Sequence, residues 1–436
     1  MSSFEVTGGK KLKGDITPQG AKNEALQVIS AVLLTHEPVT LYNIPDIADV
    51  NLQIELLEEL GVKTDRTDRH TCTFQADQVD VDYLQSEAYY KKSGRLRGSV
   101  MLAGPLLARY KKAFIPRPGG DKIGRRRLDT HIKGFEKLGA KISYNTEDAF
   151  FQLHADHLLG NQLLLDEPSV TGTANLLMAA VMAEGSSTIY NAACEPYIQQ
   201  LCKMLNRMGG KISGIGSNML VVEGVNKMSG TTHTMLPDMI EVGSFIGLAA
   251  MTQSDITIKN AGVEHLGVIP EKFKQLGIKM NIRGDDIHIP EQDIYEIETF
   301  LDGSVLTIYD HPWPGFTPDL LSIVLVVATQ AKGSVLIHQK MFESRLFFVD
   351  KIIEMGARIV LCDPHRAVVV GLERMHALRG ITMSSPDIRA GVALLIAALS
   401  AEGKSLIQNI EQIDRGYQSI DERLRLLGAD IKRSFG

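Results

Sequence analysis

Three cations hold an unusual place in this sequence. Lys22, Arg97 and Arg389 each stand at the start of a nearly uncharged apolar stretch. A helix beginning there exposes free backbone N–H groups and the positive end of its dipole, so a cation opposes the local field. That arrangement makes sense when a multiply charged anion binds among the three. For any one of them alone, a surface cation whose stem lies over apolar residues is the plainer reading. The segment Arg117-Pro118-Gly119-Gly120-Asp121-Lys122-Ile123-Gly124-Arg125-Arg126-Arg127 joins three glycines to five basic residues. A loop of that composition, about 116–127, is expected to be mobile and to attract phosphate. On composition alone, a solvated basic loop or weak nucleic-acid patch remains the alternative. Arg415, in Asp414-Arg415-Gly416-Tyr417, adds a cation at a loop-to-helix junction, where a simple cap by Asp414 is an equal contender. The acids at the corresponding entrances, Asp238, Glu241, Asp319 and Asp387, fit ordinary helix caps. No G-x-x-x-x-G-K-[ST] loop, dinucleotide fingerprint or metal-ligand cluster is present, so neither a metal nor a cofactor is expected.

The elements that must position these residues recur six times. A Leu/Met-Gly pair closes an amphipathic stretch at Leu60-Gly61, Leu138-Gly139, Met208-Gly209, Leu276-Gly277, Met355-Gly356 and Leu427-Gly428, with glycines 78, 70, 68, 79 and 72 residues apart. Glycine after the last helical residue is what a left-handed helix stop requires. Each copy also holds an almost uncharged helix: Asn23 to Thr35, Ser99 to Ala108, Gly172 to Glu184, Gly243 to Gln253, Leu320 to Gln330 and Ala390 to Ala401. A helix apolar on every side must be buried on every side. Short β-type segments such as Val39 to Tyr42 follow, so each unit reads strand, buried helix, strand, surface helix, then one or two strands. The sixth copy stops soon after Gly428, and Phe4 to Gly8 has the pattern of its missing strand. Two α/β domains are therefore expected, one of 22–235 and a discontinuous one of 1–21 plus 236–436.

Bulk properties agree with a folded enzyme of two domains. The chain has 436 residues, beyond the size at which one core keeps growing. A net charge of -6 argues against a nucleic-acid or membrane-surface protein. The four cysteines form no C-x-x-C pair, which favours a reducing, cytoplasmic setting. The longest uncharged apolar run, Leu320 to Ala331, is too short for a membrane helix of about 20 residues. The first residues lack the apolar stretch of a signal peptide.

Together, Gly20-Ala21-Lys22-Asn23, Leu96-Arg97-Gly98-Ser99, Pro118-Gly119-Gly120 with Ile123-Gly124, Phe342-Glu343-Ser344-Arg345, Asp387-Ile388-Arg389-Ala390 and Asp414-Arg415-Gly416-Tyr417 resemble the enolpyruvyl transferases over the whole chain. Within that family they are most similar to the branch acting on UDP-N-acetylglucosamine. The resemblance implies two inside-out α/β barrel domains, each of three βαβαββ repeats, closing on small-molecule substrates, with no nucleic acid, membrane or oligomer required. It implies that Lys22, Arg126, Arg389 and Arg415 hold the phosphate and carboxylate of phosphoenolpyruvate, with Asn23 nearby. Arg97, Arg126, Arg127, Leu128, Asp129, Thr130, Glu167, Pro168, Ser169, Val170 and Met341 would line the UDP-sugar site. Addition followed by elimination needs one base and one acid, so Asp319 is expected to take the sugar 3-hydroxyl proton, Asp387 to assist, and Asp121 to be the acid.

Three departures from the family pattern stand out. Asp121 replaces the usual loop cysteine, which removes the thiol that fosfomycin alkylates in relatives. Glu167 stands where lysine is common, and Cys194 where arginine is common before Glu195-Pro196; both bear on nucleotide contact. The nearest rival is the sibling acting on shikimate 3-phosphate, which would be expected to have serine beside the first lysine and a Gly-Thr-Ala-x-Arg segment. A six-unit DNA clamp would need cations lining its inner surface, whereas these buried helices are uncharged.

Overall fold

The structure, a computed structural model, describes residues 2–116, 119, 120, 124, 127–146 and 149–435. Asp121 and Arg126, with most of the glycine-rich basic segment, lie outside the described residues. Chain contacts divide the molecule into two compact units, one holding 1–19 and 237–436 and the other 20–120 and 126–236.

Six apolar helices form the inside of these units. In the unit of 20–236 they are α1 (Lys22–Ala31), α2 (Ala103–Tyr110) and α3 (Val170–Ala180); in the other they are α4 (Met239–Met251), α5 (Leu321–Ala328) and α6 (Ile388–Ser400). Every residue of α4 and α5 is buried. Helices α4, α5 and α6 pack against one another pairwise. Burial of whole helices, rather than of one stripe, explains why the sequence shows so little polar periodicity there.

The second expected helix is not one continuous α-helix. Residues Arg97–Leu102 form a 3-10 segment that leads into α2. Pro105 has no N–H to bond the Met101 carbonyl, so the α-helical ladder cannot extend back through that turn.

Small sheets lie around the helices. Five have four strands and one has three, and none of the described sheets closes on itself, so the layout is inside-out α/β without a closed barrel ladder. The N-terminal strand Ser3–Thr7 lies between Lys404–Gln408 and Asp430–Ser434, antiparallel to both, and completes the sheet of the sixth repeat. Lys13–Ile16 instead pairs in parallel with Asp255–Ile258 of the fourth repeat.

All six repeat glycines have positive φ, from 88° at Gly277 to 106° at Gly356. Each sits two residues past the last residue of a helix whose end is closed by a paired set of backbone bonds. After the helix Ala48–Glu59, for example, Gly61 N–H bonds Glu58 O at 2.9 Å and Val62 N–H bonds Leu57 O at 2.9 Å. This satisfies carbonyls the helix would otherwise leave open.

Candidate active site

The expected site residues of the unit 20–236 fall into two groups. Lys22 is the first residue of α1, preceded by Ala21, which supplies no side-chain cap. Its ammonium does not face solvent: Nζ lies 2.7 Å from Oδ2 of Asp49, with the two side chains 9% and 7% exposed. The buried cation thus has an internal counterion from the next helix, a partner that nothing in the local sequence marks. Asn23 is half-buried.

The second group gathers around the start of α3. Arg97 opens its 3-10 segment and donates from Nη2 to the carbonyl of Arg127 at 3.3 Å. Arg127 makes a two-point pair with Asp129 through Nε (2.8 Å) and Nη2 (2.5 Å). Leu128 is half-buried, Thr130 buried. Ser169 caps α3 by accepting from Gly172 N–H at 3.2 Å, and its own N–H bonds Glu167 O at 2.7 Å. Glu167 is exposed, while Pro168 and Val170 are half-buried.

A buried histidine ties these segments together. His131 is two residues beyond Asp129 in the helix Asp129–Lys137. Its Nε2 lies 3.1 Å from Thr171 Oγ1, and its Nδ1 2.9 Å from Nδ2 of Asn175. Asn175 also donates to Val100 O (2.7 Å) and accepts from Gly104 N–H (2.8 Å). The amide Nδ2 can only donate, so Nδ1 accepts and Nε2 carries the proton toward Thr171. Burial, aided by the charge of Arg97, pushes the imidazole down to about 3, which keeps it neutral. Nearby, Ala193 N–H bonds Thr173 of α3 at 2.9 Å, placing the Cys194-Glu195 turn beside this helix. Burial pushes the Glu195 carboxyl up to about 7 and the Cys194 thiol upward. His131, Asn175 and Glu195 were not singled out from sequence, because a lone buried polar residue carries no local signature.

In the unit of 237–436, the acids at the helix entrances divide into two kinds. Asp238 caps α4 through Ile240 N–H at 2.8 Å, and Asp387 caps α6 through Arg389 N–H at 2.8 Å and Ala390 N–H at 2.9 Å. Glu241 instead receives Arg423 and the N–H of Gln19. Asp319 is no cap either. The side chain of Thr317 accepts from Asp319 N–H at 3.4 Å, which leaves the carboxylate for other partners. Its Oδ1 lies 2.5 Å from Nη2 of Arg345, and its Oδ2 lies 3.1 Å from Nη2 and 3.2 Å from Nε of Arg389.

The two arginines are themselves enclosed, with side chains 9% and 6% exposed. Arg345 Nε and Nη1 are buried without a hydrogen-bond partner among the described residues. Arg389, second residue of α6, stands 5.8 Å from the ring of Tyr417, whose hydroxyl meets Ser244 Oγ at 2.8 Å. Arg345 was visible only as part of the Phe342-Glu343-Ser344-Arg345 marker; its pairing with Asp319 is tertiary.

Arg415 is half-buried and donates to Gln412 at 2.8 Å. Its segment is pinned by Gln19, which donates to Gly416 O (2.8 Å) and accepts from Gln418 N–H (2.7 Å). Asp414, a contender for a cap, instead pairs with Arg433 at 2.7 and 2.8 Å. Met341 is 38% exposed, and its N–H is held by the buried carboxylate of Asp310 at 3.1 Å. Among the described residues no group of three or more His, Cys, Asp or Glu side chains could hold a metal ion. No helix among them is long and apolar enough to cross a membrane.

Chemically, Lys22 in one unit and Arg345 with Arg389 in the other are buried cations, paired with Asp49 and with Asp319 respectively. Such groups suit an anion with more charge than one carboxylate, and a carboxylate held between guanidiniums suits proton transfer next to that anion.

Comparisons with known proteins bear on this geometry. The family model described as EPSP synthase (3-phosphoshikimate 1-carboxyvinyltransferase) matches residues 6–424. The chain is 65% identical over 433 residues to a UDP-N-acetylglucosamine 1-carboxyvinyltransferase of Bacteroides thetaiotaomicron, covering 99% of this chain and 100% of the relative. The protein of that name from Porphyromonas gingivalis is 64% identical with the same coverage. Among solved structures, the enolpyruvyl transferase NikO from Streptomyces tendae aligns with a TM-score of 0.87 at 20% identity, covering 100% of this chain and 99% of that one. EPSP synthase from Acinetobacter baumannii aligns over the full length of both chains with a TM-score of 0.75 at 17% identity. At those identities the structural matches speak to the fold alone.

Proposed function

The chain belongs to the EPSP synthase family of enolpyruvyl transferases, and from that premise we propose that it moves the enolpyruvyl group of phosphoenolpyruvate onto the 3-hydroxyl of UDP-N-acetylglucosamine. The observation that carries this reading is the end-to-end identity of 65% with relatives bearing the UDP-N-acetylglucosamine 1-carboxyvinyltransferase name.

In this reading Asp319 takes the proton of the sugar hydroxyl, and the freed oxygen bonds C2 of phosphoenolpyruvate. Asp121 gives a proton to the methylene carbon C3, forming a tetrahedral intermediate that still carries its phosphate. The bond from C2 to the phosphate oxygen then breaks while Asp121, now a carboxylate, takes a proton back from C3; the double bond reforms, and inorganic phosphate departs with the proton held by Asp319. Lys22, Arg126, Arg389 and Arg415 hold the phosphate and carboxylate, with Asn23 beside them and Asp387 assisting Asp319. Arg97, the segment 126–130, the segment 167–170 and Met341 take the UDP-sugar. The buried guanidinium donors of Arg345 support a charged ligand next to Asp319. The reaction would be the first committed step of peptidoglycan precursor synthesis, in the cytoplasm, and so serve cell-wall growth, cell shape and division.

Purified protein incubated with phosphoenolpyruvate and either UDP-N-acetylglucosamine or shikimate 3-phosphate tests the acceptor. Phosphate release with the UDP-sugar is expected; release only with the shikimate ester would overturn the reading. Asp121 adds a second check, since a carboxylate is a far poorer nucleophile than a thiolate. Fosfomycin should leave the wild-type mass unchanged and add to an active Asp121→Cys variant. An adduct on wild type, or none on that variant, counts against the role given to Asp121.

A further inference from the structure

Behind the first turn of α1 runs a buried polar chain that the chemistry above does not use. Glu24, two residues beyond Lys22, is fully buried. Its Oε1 lies 2.7 Å from Nε2 of His233, and its Oε2 accepts Leu236 N–H at 3.1 Å. His233, in the strand Thr231–Thr234, is itself 3% exposed, and its Nδ1 lies 2.5 Å from Nη2 of Arg207. A guanidinium can only donate, so Nδ1 accepts, Nε2 carries the proton, and the ring is a neutral imidazole in one tautomer. The chain therefore runs from Arg207, on an exposed helix end, through His233 to the carboxylate of Glu24.

Leu236 closes this arrangement. Its carbonyl accepts Ala21 N–H at 2.8 Å while its N–H goes to Glu24. Residues 21 and 24, which flank Lys22 and Asn23, are thus tied to one and the same residue. This tie anchors a first turn that Ala21 leaves without a side-chain cap. A buried carboxylate costs free energy unless fully bonded, and an apolar side chain at Glu24 would fill the space without that cost. What the polar chain adds is a fixed position for the first turn.

We propose that His233 is a positioning residue for Lys22 and Asn23, acting through Glu24 to hold the first turn of α1 where the Lys22 ammonium meets the anionic substrate. This rests on the role given to Lys22 above, and the test separates the two. Phosphoenolpyruvate affinity is measured by calorimetry, and both KM values by phosphate release, for the full chain carrying Lys22→Ala, His233→Phe, His233→Gln or the pair Glu24→Leu with His233→Phe.

His233→Phe should raise the KM for phosphoenolpyruvate about 10-fold or more, since a small misplacement of a binding group is costly, while the KM for the UDP-sugar changes less than about two-fold. His233→Gln, whose amide can still donate to Glu24, should recover most of the loss. The apolar pair removes Glu24 and His233 together but leaves Leu236 N–H without its acceptor, so it should regain part of the thermal stability yet keep the raised KM. If Lys22→Ala leaves phosphoenolpyruvate affinity intact, the role of Lys22 fails. If Lys22→Ala weakens it but His233→Phe does not, or if the apolar pair recovers both stability and KM, the positioning role of His233 alone is overturned.

Discussion

Replacing Asp319 by asparagine separates a capping carboxylate from one that serves as base and counterion. Asparagine is as good an N-cap as aspartate, so capping would leave stability untouched. The structure leads elsewhere. The carboxylate bridges Arg345 at 2.5 Å and Arg389 at 3.1 Å, and both guanidiniums are more than nine-tenths buried. An asparagine amide keeps one acceptor, loses both charge interactions and turns an NH2 group toward a cation. Among the described residues Arg345 already has two buried donors without partners. Breaking a buried pair by neutralising one member costs about 3–5 kcal/mol, and the asparagine oxygen recovers only a little of that. Loss of the base should lower turnover about 100-fold or more. Urea unfolding followed by Trp313, the single tryptophan, reads the first effect, and phosphate release reads the second. Adding Arg345→Met removes one uncompensated cation and should restore part of the stability without restoring turnover. An Asp319→Asn protein with wild-type unfolding midpoint and wild-type turnover would refute both the ion-pair reasoning and the base assignment.

Three further outcomes follow from single groups. His131 is neutral in the fold down to about 3 but takes a proton near 6.5 when unfolded, so stability should fall by about 1.4 kcal/mol per pH unit as pH drops below about 6.5; a His131→Gln variant whose urea midpoint runs parallel to wild type between pH 7.5 and 4.5 contradicts this. Glu195 has the opposite sign: its folded carboxyl is held up at about 7, against 4.5 unfolded, so stability should be lost as pH rises through that window, and Glu195→Gln should flatten the melting temperature against pH. Gly209, with φ 102° and open space where a Cβ would project, isolates backbone strain from packing; Gly209→Ala should cost about 1 kcal/mol in urea unfolding, and no change would mean the left-handed stop is not required.

The sequence alone determined what depends on neighbours within a turn or two. The six helix stops were legible because a left-handed residue after a helix needs glycine, whatever surrounds it. The buried helices were legible because an uncharged stretch of that length has to be covered, and the N-terminal strand because the sixth repeat lacked one. The apolar stretches placed Lys22, Arg97, Asp319, Asp387 and Arg389 at helix entrances, where the structure has them; Arg415, expected at a loop-to-helix junction, instead follows the last residue of the short helix Glu411–Asp414. Only the tertiary structure decided which charge meets which. Asp387 and Asp319 look alike as acids at apolar helix entrances, yet one caps its own helix and the other joins two arginines, because Thr317 supplies the cap and Arg345 arrives from 26 residues away. Asp49 reaches Lys22 across 27 residues, and His233 reaches Glu24 across 209. Such partners leave no trace in local pattern, since the energy of a buried charge depends on what the fold brings within about 3–4 Å of it and not on what precedes it in the chain.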